Sequence, residues 1–440
     1  MKCKNLLQNA RGYVKIKEKV KSPREKNKMN KLIGNAVVGQ SGGPTAAINA
    51  TLAGVINGAL AAQAEGVIDH LYGMRNGIEG FLREDFIDLT ERFAGGRDID
   101  TLAATPAAAL GSCRKKLGSP ESDPELYAKV FEILKKHNIR YFFYIGGNDS
   151  MDTVYKLSEY AKGHDYELRV VGVPKTIDND LMATDHTPGF GSAAKFVATT
   201  MKEILRDVSV YTVKAVTIVE VMGRDAGWLT ASAALPVISG GKGPDLVYLP
   251  ERTFDTDEFI ASVKAAMDEH PAVLVAVSEG IRFADGEYVG AGTQSGAVDV
   301  FGHKYLAGTG KVLEGIVKEK LGCKVRSIEL SLPQRCAGHI LSGADISESL
   351  EVGASAVRAA IAGESGVMMI FVREDSDTDS VRVESYDISK IANAIRTVPD
   401  EYINEAGNGI TETGLNYLLP LICGEVSPEY ENGMPRHIVL

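Results

Sequence analysis

Short apolar runs alternate along the chain with longer stretches in which apolar residues recur at helical spacing, and this alternation begins at Gly34. Such a βαβα rhythm is typical of a parallel sheet covered by helices on both faces. With 440 residues, 44% hydrophobic and 24% charged, the chain can bury a substantial core as one large or two medium domains. The apolar runs predict strands at residues 141–145, 168–173, 215–221, 272–277 and 367–372.

One βα repeat carries clear start signals. Asp123 followed by Pro124 predicts a helix start, because Asp is a preferred N-cap and Pro fits the first helical turn. Its apolar face would comprise Leu126, Val130, Ile133 and Leu134. The strand at 141–145 then ends in a turn at 146–150, before a second helix over 151–162. Ligands of open α/β sheets bind at such carboxyl ends.

Charge and cysteine content narrow the class of protein further. No apolar run approaches the roughly 18 residues of a membrane helix. The net charge of -10 disfavours a general nucleic-acid binder. The cysteines are scattered without CxxC spacing, which favours reduced thiols in a cytoplasmic protein; they are Cys3, Cys113, Cys323, Cys336 and Cys423.

The first 28 residues differ in charge from the rest, with ten Lys or Arg against two Glu. They lack the apolar core of a signal peptide and a sustained amphipathic stripe, so we predict a disordered leader over residues 1–30. Met29 is an alternative start of translation. A basic arm that contacts RNA or an anionic membrane is the functional alternative for this leader.

The first polar cluster is Gly39-Gln40-Ser41-Gly42-Gly43-Pro44-Thr45, which leads into an Ala-rich helix. Its glycines would let backbone N–H groups approach a phosphate, and the helix N-terminus would add a favourable dipole. The loop matches neither a Walker A motif nor GxGxxG. A tight structural turn is the plain alternative. The match of residues 39–43 to GxSxG would instead make Ser41 the nucleophile of a hydrolase.

Two further clusters offer cations and oxygen atoms. Residues 111–116 (Gly-Ser-Cys-Arg-Lys-Lys) place Arg114 behind a glycine, where it would clamp an anion or form only an exposed basic turn. Residues 146–150 (Gly-Gly-Asn-Asp-Ser) present a backbone nest and oxygen ligands suited to Mg²⁺. Turns rich in Gly, Asn and Asp are common in any case.

The most specific cluster is Pro174-Lys175-Thr176-Ile177-Asp178-Asn179-Asp180, directly after a predicted strand. Two carboxylates beside a lysine suit proton abstraction next to a charged phosphoryl group. The alternative is that Asp178 or Asp180 caps a helix. Residues 222–227 (Met-Gly-Arg-Asp-Ala-Gly) place Arg224 after another strand, where it would bind phosphate or form a surface salt bridge.

These five clusters, in this order, resemble the phosphofructokinase family from about residue 34 onward. The resemblance implies two Rossmann-like three-layer αβα domains, with fructose 6-phosphate and a phosphoryl donor meeting in the cleft between them. The donor-binding domain would comprise residues 31–190 with about 334–385. The sugar-binding domain would comprise residues 191–333 with about 386–440.

The resemblance also assigns roles to single residues. Asp178 is expected to accept the proton of the sugar 1-hydroxyl, with Asp180 as its orienting neighbour, while Lys175 and Arg224 stabilise the transition state. The expected donor contacts are Gly42, Gly43, Arg114, Gly147, Asp149 and Lys175. The expected sugar-phosphate contacts are Lys175, Thr176, Ile177, Asp178, Lys214, Met222, Gly223, Arg224, Glu279, Arg326 and Arg335.

Two residues bear on the choice of donor. Members of the family that use ATP typically have glycine at the positions of Asp149 and Lys175. Asp149 would place a negative charge and extra volume where the α-phosphate of ATP would lie, whereas Lys175 could reach a pyrophosphate. The resemblance therefore favours pyrophosphate over ATP, and Asp149 is expected to belong to the catalytic set.

Three positions depart from the family pattern. Asn148 stands where an aspartate associated with Mg²⁺ is common, which leaves the metal ligands open. Leu332 replaces a His or Tyr that often precedes the arginine at 335. Lys214 lies one position away from an arginine that often reaches the site from a neighbouring subunit. A homodimer or homotetramer is therefore expected.

The sequence thus predicts a cytoplasmic, Mg²⁺-dependent enzyme that moves a phosphoryl group reversibly between pyrophosphate and fructose 6-phosphate. No nucleic-acid or membrane partner is expected. An ATP-dependent phosphofructokinase, a non-catalytic regulatory subunit (suggested by Asn148 and Leu332) and a serine hydrolase built on Ser41 stay open as alternatives.

Overall fold

The computed structural model describes residues 32–291, 308–374, 380–391 and 395–440, so the leader predicted for residues 1–30 lies outside the described residues. All five predicted strands are present, as β4, β5, β6, β8 and β10 of the following set. In chain order the strands are β1 (Gly34–Gln40), β2 (Ile68–Met74), β3 (Phe86–Asp88), β4 (Ile139–Gly146), β5 (Arg169–Pro174), β6 (Ala215–Val221), β7 (Leu246–Tyr248), β8 (Ala272–Ser278), β9 (Lys324–Glu329), β10 (Val367–Arg373), β11 (Val381–Asp387), β12 (Tyr430–Glu431) and β13 (Met434–Pro435).

The α-helices of the described residues are α1 (Ile48–Ala64), α2 (Gly77–Leu82), α3 (Leu89–Arg92), α4 (Ile99–Ala104), α5 (Pro124–Lys136), α6 (Asn148–Lys162), α7 (Phe190–Val208), α8 (Trp228–Ser232), α9 (Thr256–Glu269), α10 (Thr309–Leu321), α11 (Gly343–Ile361) and α12 (Glu412–Leu418). α5 begins as predicted, with the Asp123 carboxylate accepting a hydrogen bond from the Leu126 N–H at 3.3 Å. None of these helices combines the length and the apolar character of a membrane span.

Two sheets organise the α/β fold. The larger sheet has the order β11-β10-β5-β4-β1-β2-β3 and is parallel except at its edges, where β11 and β3 run antiparallel to their neighbours. The smaller sheet has the order β7-β8-β6-β9 and is parallel throughout. Hydrophobic clusters lie between each sheet and the helices on both of its faces. The predicted fold class is confirmed.

The strand order explains where the polar loops lie. In the larger sheet the chain passes from β1 to β2 on one side and later to β4 on the other, so the winding reverses between β1 and β4. Ligand crevices of open α/β sheets form at such switch points, beyond the carboxyl ends of the strands. The loops after β1 and β4 carry Gly42, Gly43 and Gly147. In the smaller sheet the reversal lies between β6 and β9, and the chain after these strands carries Arg224 and Arg335.

Helices α1 and α11 pack unusually close together on the larger sheet. A Cβ atom on Gly54 would lie 2.1 Å from the Leu350 carbonyl oxygen, and one on Gly353 would lie 2.2 Å from the Thr51 carbonyl oxygen. Only glycine permits this approach. The contact fixes α11, whose Asp345 accepts hydrogen bonds from the backbone at the start of α7.

Two local expectations differ from the structure. The helix predicted over 151–162 begins three residues earlier, because Gly147 is extended and Asn148 and Asp149 already form the first helical turn. Residues 175–189, which connect β5 to α7 and are called the β5–α7 segment below, contain no helix. The alternative that Asp178 or Asp180 caps a helix is therefore wrong.

The C-terminal region divides between the two sheets. Residues 403–421 contribute to the hydrophobic cluster of the smaller sheet. Ile438 instead packs in the core beside α1, and its N–H donates to Thr105 Oγ1 at 3.0 Å. These contacts do not favour assigning all of residues 386–440 to the second domain, and the predicted domain division stays a prediction.

A buried histidine anchors the β5–α7 segment. The His186 side chain is 3% exposed, with Nδ1 2.8 Å from Asp185 Oδ1 and Nε2 2.8 Å from Glu348 Oε2 of α11. Arg373 of β10 pairs with Asp185, and the Phe371 ring stacks on the imidazole. Burial favours the neutral ring, but the two carboxylates outweigh burial and raise the pKa of His186 to about 9. Two ion pairs thus hold the segment, one to Glu348 of α11 and one to Arg373 of β10.

We expect His186 to stabilise the fold most at acid and neutral pH. Because its pKa is about 9 in the fold and 6.5 by its ordinary value, the contribution is fully present below pH 6.5 and is lost as the pH rises through 9. The melting temperature of His186→Gln should therefore lie furthest below that of the wild type near pH 6, and the gap should narrow towards pH 10. The exposed His339→Gln is the control. A gap that stays constant with pH would contradict a charged His186.

Candidate active site

Loops from both sheets converge on one buried site. Burial raises the pKa of Asp178, after β5, and the positive charges of Lys175 and Arg224 oppose that rise. Burial also raises the pKa of Glu279, after β8, to about 7; the Gly223 N–H opposes this rise and the charge of Asp178 adds to it. One charged group shifts the pKa of another in this way only when the two lie a short distance apart. Residues after β5, β6 and β8 therefore line the same site, as their positions at the strand ends predict.

The cationic end of the site is built on the glycine loop after β1. Lys175 is 3% exposed and donates from Nζ to the Gly43 carbonyl oxygen at 2.5 Å. A Cβ on Gly42, whose φ is +80°, would lie 3.4 Å from that Nζ, and one on Gly43 would lie 3.3 Å from Arg335 Nη1. Burial lowers the pKa of Lys175 to about 8, and the charges of Arg335 and Arg114 act in the same direction. The loop thus faces cations from three separate segments.

The first turn of α6 carries the side chains predicted for donor and metal. Asp149 Oδ1 lies 3.3 Å from Lys116 Nζ, and no sequence motif predicted this ion pair. Asn148 Nδ2 donates to Asp180 Oδ2 at 3.2 Å. The charge of Asp149 is therefore partly neutralised by Lys116, and Asn148 contacts the second of the paired carboxylates.

Asp178 and Asp180 form the anionic centre of the site. The Asp178 N–H donates to Thr176 Oγ1 at 3.1 Å, and that hydroxyl lies 3.5 Å from Asp178 Oδ2. Burial raises the pKa of Asp180, and the charge of Asp178 adds to this rise, which reaches about 7. A carboxylate whose pKa is raised towards neutrality is a better proton acceptor. The pair can therefore take a proton from a hydroxyl group placed beside the cations.

The loop after β6 faces the loop after β8. The Gly223 N–H donates to Glu279 Oε1 at 3.3 Å, and the Gly223 carbonyl oxygen accepts from Ser278 Oγ at 2.5 Å. Gly223 has a φ of +135°, which glycine alone adopts readily. The Met222 N–H donates to Gln334 Oε1 at 3.1 Å. Gln334 is a supporting residue that the sequence reading missed, although it directly precedes a predicted arginine.

Arg224 is held between acidic groups. Its Nε lies 3.1 Å from Asp225 Oδ2, and Arg282 binds the other oxygen of Asp225 at 2.7 Å. The salt bridge predicted as the plain alternative therefore exists, yet the charge of Arg224 also opposes the raised pKa values of Asp178 and Glu279. The salt bridge orients the guanidinium in the site. By contrast, the Ile177 side chain is 6% exposed inside a hydrophobic cluster, so only its backbone can face a ligand.

Two predicted sugar-phosphate residues are not brought to this site within one chain. Lys214 precedes β6, at the end opposite Arg224, and its Nζ lies 3.7 Å from Asp268 Oδ1. The 7 residues of β6 correspond to about 23 Å of strand. Arg326 is exposed within β9, in register with Thr217 of β6. The sequence analysis predicted the strand that follows Lys214 but not β9, and the roles of both residues at a sugar phosphate stay predictions.

The hydrolase alternative gains no support from the structure. Ser41 Oγ donates to the Cys113 carbonyl oxygen at 3.4 Å, and no histidine of the described ranges hydrogen-bonds to it. Leu332, which marked a departure from the family pattern, is 55% exposed. Its apolar side chain supplies no hydrogen bond to a ligand.

Oxygen donors for a divalent cation are few. Within the part of the chain that the structure describes, no group of three or more His, Cys, Asp or Glu side chains could hold a metal ion. Asp180 and Asn148 lie side by side, and rotating the Asn148 amide would present its oxygen in place of its nitrogen. Mg²⁺ usually binds through one or two carboxylates together with substrate phosphates. This pair fits a Mg²⁺ ion that arrives with a phosphorylated substrate.

The fold and these clusters together define a phosphoryl-transfer enzyme of the α/β class. The chain belongs to the phosphofructokinase family, because the family model described as "Phosphofructokinase" matches residues 35–372. The resemblance inferred from the sequence is thereby confirmed.

Individual relatives cover nearly the whole chain. A pyrophosphate–fructose 6-phosphate 1-phosphotransferase from Xanthomonas campestris is 41% identical over 414 residues, which are 92% of this chain and 96% of that protein. A sulfofructose kinase from Alkalicoccus urumqiensis is 31% identical over 84% of this chain and 91% of its own length. The crystal structure of a pyrophosphate-dependent phosphofructokinase from Nitrosospira multiformis has a TM-score of 0.83 at 37% identity, and covers 92% of this chain and 96% of its own.

Anion binding at this site should depend on the charge of Lys175. Its pKa of about 8 means that the ammonium group is charged below that pH and neutral above it. We expect the affinity for inorganic pyrophosphate, measured by calorimetry, to fall as the pH rises above 8. Lys175→Arg should remove that fall, since guanidinium stays protonated. The exposed Lys115→Arg is the control and should keep the wild-type profile. An unchanged profile in Lys175→Arg would show that another group titrates.

Proposed function

We propose that this chain transfers a phosphoryl group reversibly from pyrophosphate to the 1-hydroxyl of D-fructose 6-phosphate, giving fructose 1,6-bisphosphate and phosphate. The observation that carries the proposal is the buried Lys175 against the glycine loop, with its charge and that of Arg224 both acting on the carboxylate of Asp178. Phosphoryl transfer needs this combination of a base for the hydroxyl and cations for the transferring group. Relatives that carry the name of this reaction support it.

The donor proposal rests on Lys175 and Asp149. Lys175 occupies the space beside Gly42 and Gly43, where a glycine would leave room for a larger donor. Its buried ammonium suits a compact polyanion such as pyrophosphate. Asp149 adds charge and volume at the start of α6. Arg114 and the backbone at Gly147 would complete the contacts to the donor phosphates.

In the proposed mechanism Asp178 accepts the proton of the sugar 1-hydroxyl as that oxygen attacks the donor phosphorus in line with the leaving phosphate. Thr176 fixes Asp178 through the hydrogen bonds described above. Lys175 and Arg224 neutralise the charge that spreads over the transferring group. Because pyrophosphate and the sugar bisphosphate differ little in phosphoryl-transfer potential, the same groups serve the reverse reaction.

The sugar would lie along the loops after β6 and β8. Glu279 is placed to accept a hydrogen bond from a sugar hydroxyl, and the backbone of Met222 and Gly223 borders the same space. Arg335 would approach a phosphate of the sugar or the donor. Mg²⁺, when bound, would offset the charge of pyrophosphate, and Asp180 and Asn148 are the residues that would hold it.

We further propose a homodimer or homotetramer in which Lys214 and Arg326 serve the site of a neighbouring copy. Both lie away from the site of their own chain. The residues just before Lys214 are exposed apolar side chains, with Val210 70%, Tyr211 57% and Val213 65% exposed. Such a patch beside two cations suits an interface between copies. A cytoplasmic location fits the free thiols of the four described cysteines.

Removal of the proposed base should slow the chemical step. We expect Asp178→Asn to lower kcat by about 10²-fold or more, with little change in KM for fructose 6-phosphate, because the amide keeps the volume but cannot accept the proton. Steady-state kinetics in a coupled assay measures both constants. The control is Asp152→Asn, which alters a carboxylate of α6 that pairs with Lys156. An unchanged kcat would remove Asp178 from the mechanism.

The donor proposal is tested by assaying the purified chain with fructose 6-phosphate, Mg²⁺ and either pyrophosphate or ATP. We expect fructose 1,6-bisphosphate only with pyrophosphate. The double variant Asp149→Gly with Lys175→Gly should use pyrophosphate less well and admit some ATP, since charge and volume are both removed. If the wild type forms product with ATP and none with pyrophosphate, the donor proposal is overturned. If it forms no product with either donor, the proposal that the chain is catalytic is overturned. A double variant that still does not use ATP would show that other residues exclude this nucleotide.

A further inference from the structure

The β5–α7 segment runs from β5 to the paired carboxylates as an outgoing limb and continues to α7 as a return limb. One tyrosine hydroxyl hydrogen-bonds to both limbs. Tyr417, on α12, donates from its hydroxyl to the Asp185 carbonyl oxygen at 2.7 Å. The same oxygen accepts from Asn179 Nδ2 at 3.1 Å and from Arg396 Nη2 at 3.1 Å. A tyrosine hydroxyl has one proton to donate and two lone pairs to accept. Every hydrogen-bonding position of this hydroxyl is therefore used.

The partners of Tyr417 lie on either side of the proposed base. Asn179 stands between Asp178 and Asp180 on the outgoing limb, is fully buried and has a φ of +54°, a left-handed conformation that asparagine adopts more readily than most residues. Asp185 lies on the return limb. That limb meets the outgoing limb again where Thr187 Oγ1 donates to the Thr176 carbonyl oxygen at 2.8 Å.

Arg396 extends the connection to the opposite loop of the site. Its backbone N–H donates to the Asp180 carbonyl oxygen at 2.9 Å, and its Nη1 donates to the Asn179 carbonyl oxygen at 3.3 Å. Its guanidinium lies 4.3 Å from the centre of the Trp228 ring, and its carbonyl oxygen accepts from Trp228 Nε1 at 3.0 Å. Trp228 begins α8, directly after the loop of Arg224.

We propose that Tyr417 is a positioning residue for the reaction, which through its hydroxyl fixes the backbone around Asp178 and, through Arg396, sets the position of Asp178 relative to Arg224. The inference rests on the proposed function for its kinetic consequence but not for its structural one. The Tyr417 hydroxyl touches no reacting group itself, because its hydrogen bonds are to Asn179, Asp185 and Arg396.

The physical reason is that the β5–α7 segment has no helix or strand of its own to satisfy its backbone. Without the hydroxyl, the Asp185 carbonyl oxygen and the Asn179 amide would lose partners in a largely buried place, and the segment would shift to find others. Small displacements of a catalytic group can cost up to about 10²-fold in rate. The ring itself packs against Trp228 and Tyr402, so its loss would cause separate effects on folding.

Tyr417→Phe removes only the hydroxyl and keeps the ring. We expect kcat with pyrophosphate and fructose 6-phosphate to fall by about tenfold, while both KM values stay within about twofold. The matched control is Tyr402→Phe, since the Tyr402 hydroxyl has no hydrogen-bond partner within the described residues and its ring packs against Tyr417 in a tilted arrangement. The control should leave kcat and both KM values unchanged.

A second measurement does not depend on activity. Hydrogen exchange followed by mass spectrometry should show faster exchange of the amides of residues 176–189 in Tyr417→Phe than in the wild type or Tyr402→Phe. Equal exchange in the two variants would overturn the inference whether or not the enzyme uses pyrophosphate. Faster exchange together with an unchanged kcat would also overturn it, because the hydroxyl would then be structural only. Should the wild type show no turnover at all, the proposed function fails, and the exchange experiment still decides whether Tyr417 fixes the segment.

Discussion

The site depends on keeping the buried carboxylate of Asp178 within reach of two cations that belong to different sheets. Lys175 follows β5 of the larger sheet and Arg224 follows β6 of the smaller one, and both oppose the rise in the pKa of Asp178 that burial causes. A buried carboxylate without compensating charge would be protonated and would lose its value as a base. Under the proposed mechanism the relative placement of the two sheets is therefore part of the chemistry, since moving them apart would remove a charge that opposes protonation of Asp178.

This constraint explains how the β5–α7 segment is built. An irregular stretch of backbone at the meeting of two sheets must have its hydrogen bonds satisfied by side chains. Asp345, from the distant α11, accepts from Gly189, and within the segment Thr187 donates back to Thr176. His186 adds a charged anchor to Glu348, and Tyr417 closes the segment from the side of the smaller sheet. The carboxylates are thus held by the surrounding fold and not by a local helix or strand.

Much of this could be predicted because the strands are encoded locally and parallel strands place their carboxyl ends together. The apolar runs located β4, β5, β6, β8 and β10, and the polar clusters that follow β5 and β6 then had to meet near the sheet edges. The supporting residues could not be found in the same way. Tyr417 lies 238 positions from Asn179, so no local pattern relates them, and the pair of Lys116 with Asp149 depends on the path of a loop. For Lys214 the family resemblance suggested a contact with the site of a neighbouring subunit, which motif spacing within one chain does not test.

Charge alone does not account for the proposed preference for pyrophosphate. Asp149 stands in the first turn of α6, where the helix dipole favours an anion, and Lys116 lies 3.3 Å away. This pair is about half exposed, so water screens what repulsion is left. Lys175 is different, because it is buried against Gly43 and cannot swing aside without leaving its ammonium group poorly solvated. Under the proposed function a donor would have to fit around Lys175, and the proposed selectivity would come first from the volume and position of that side chain, with the charge of Asp149 as a smaller contribution.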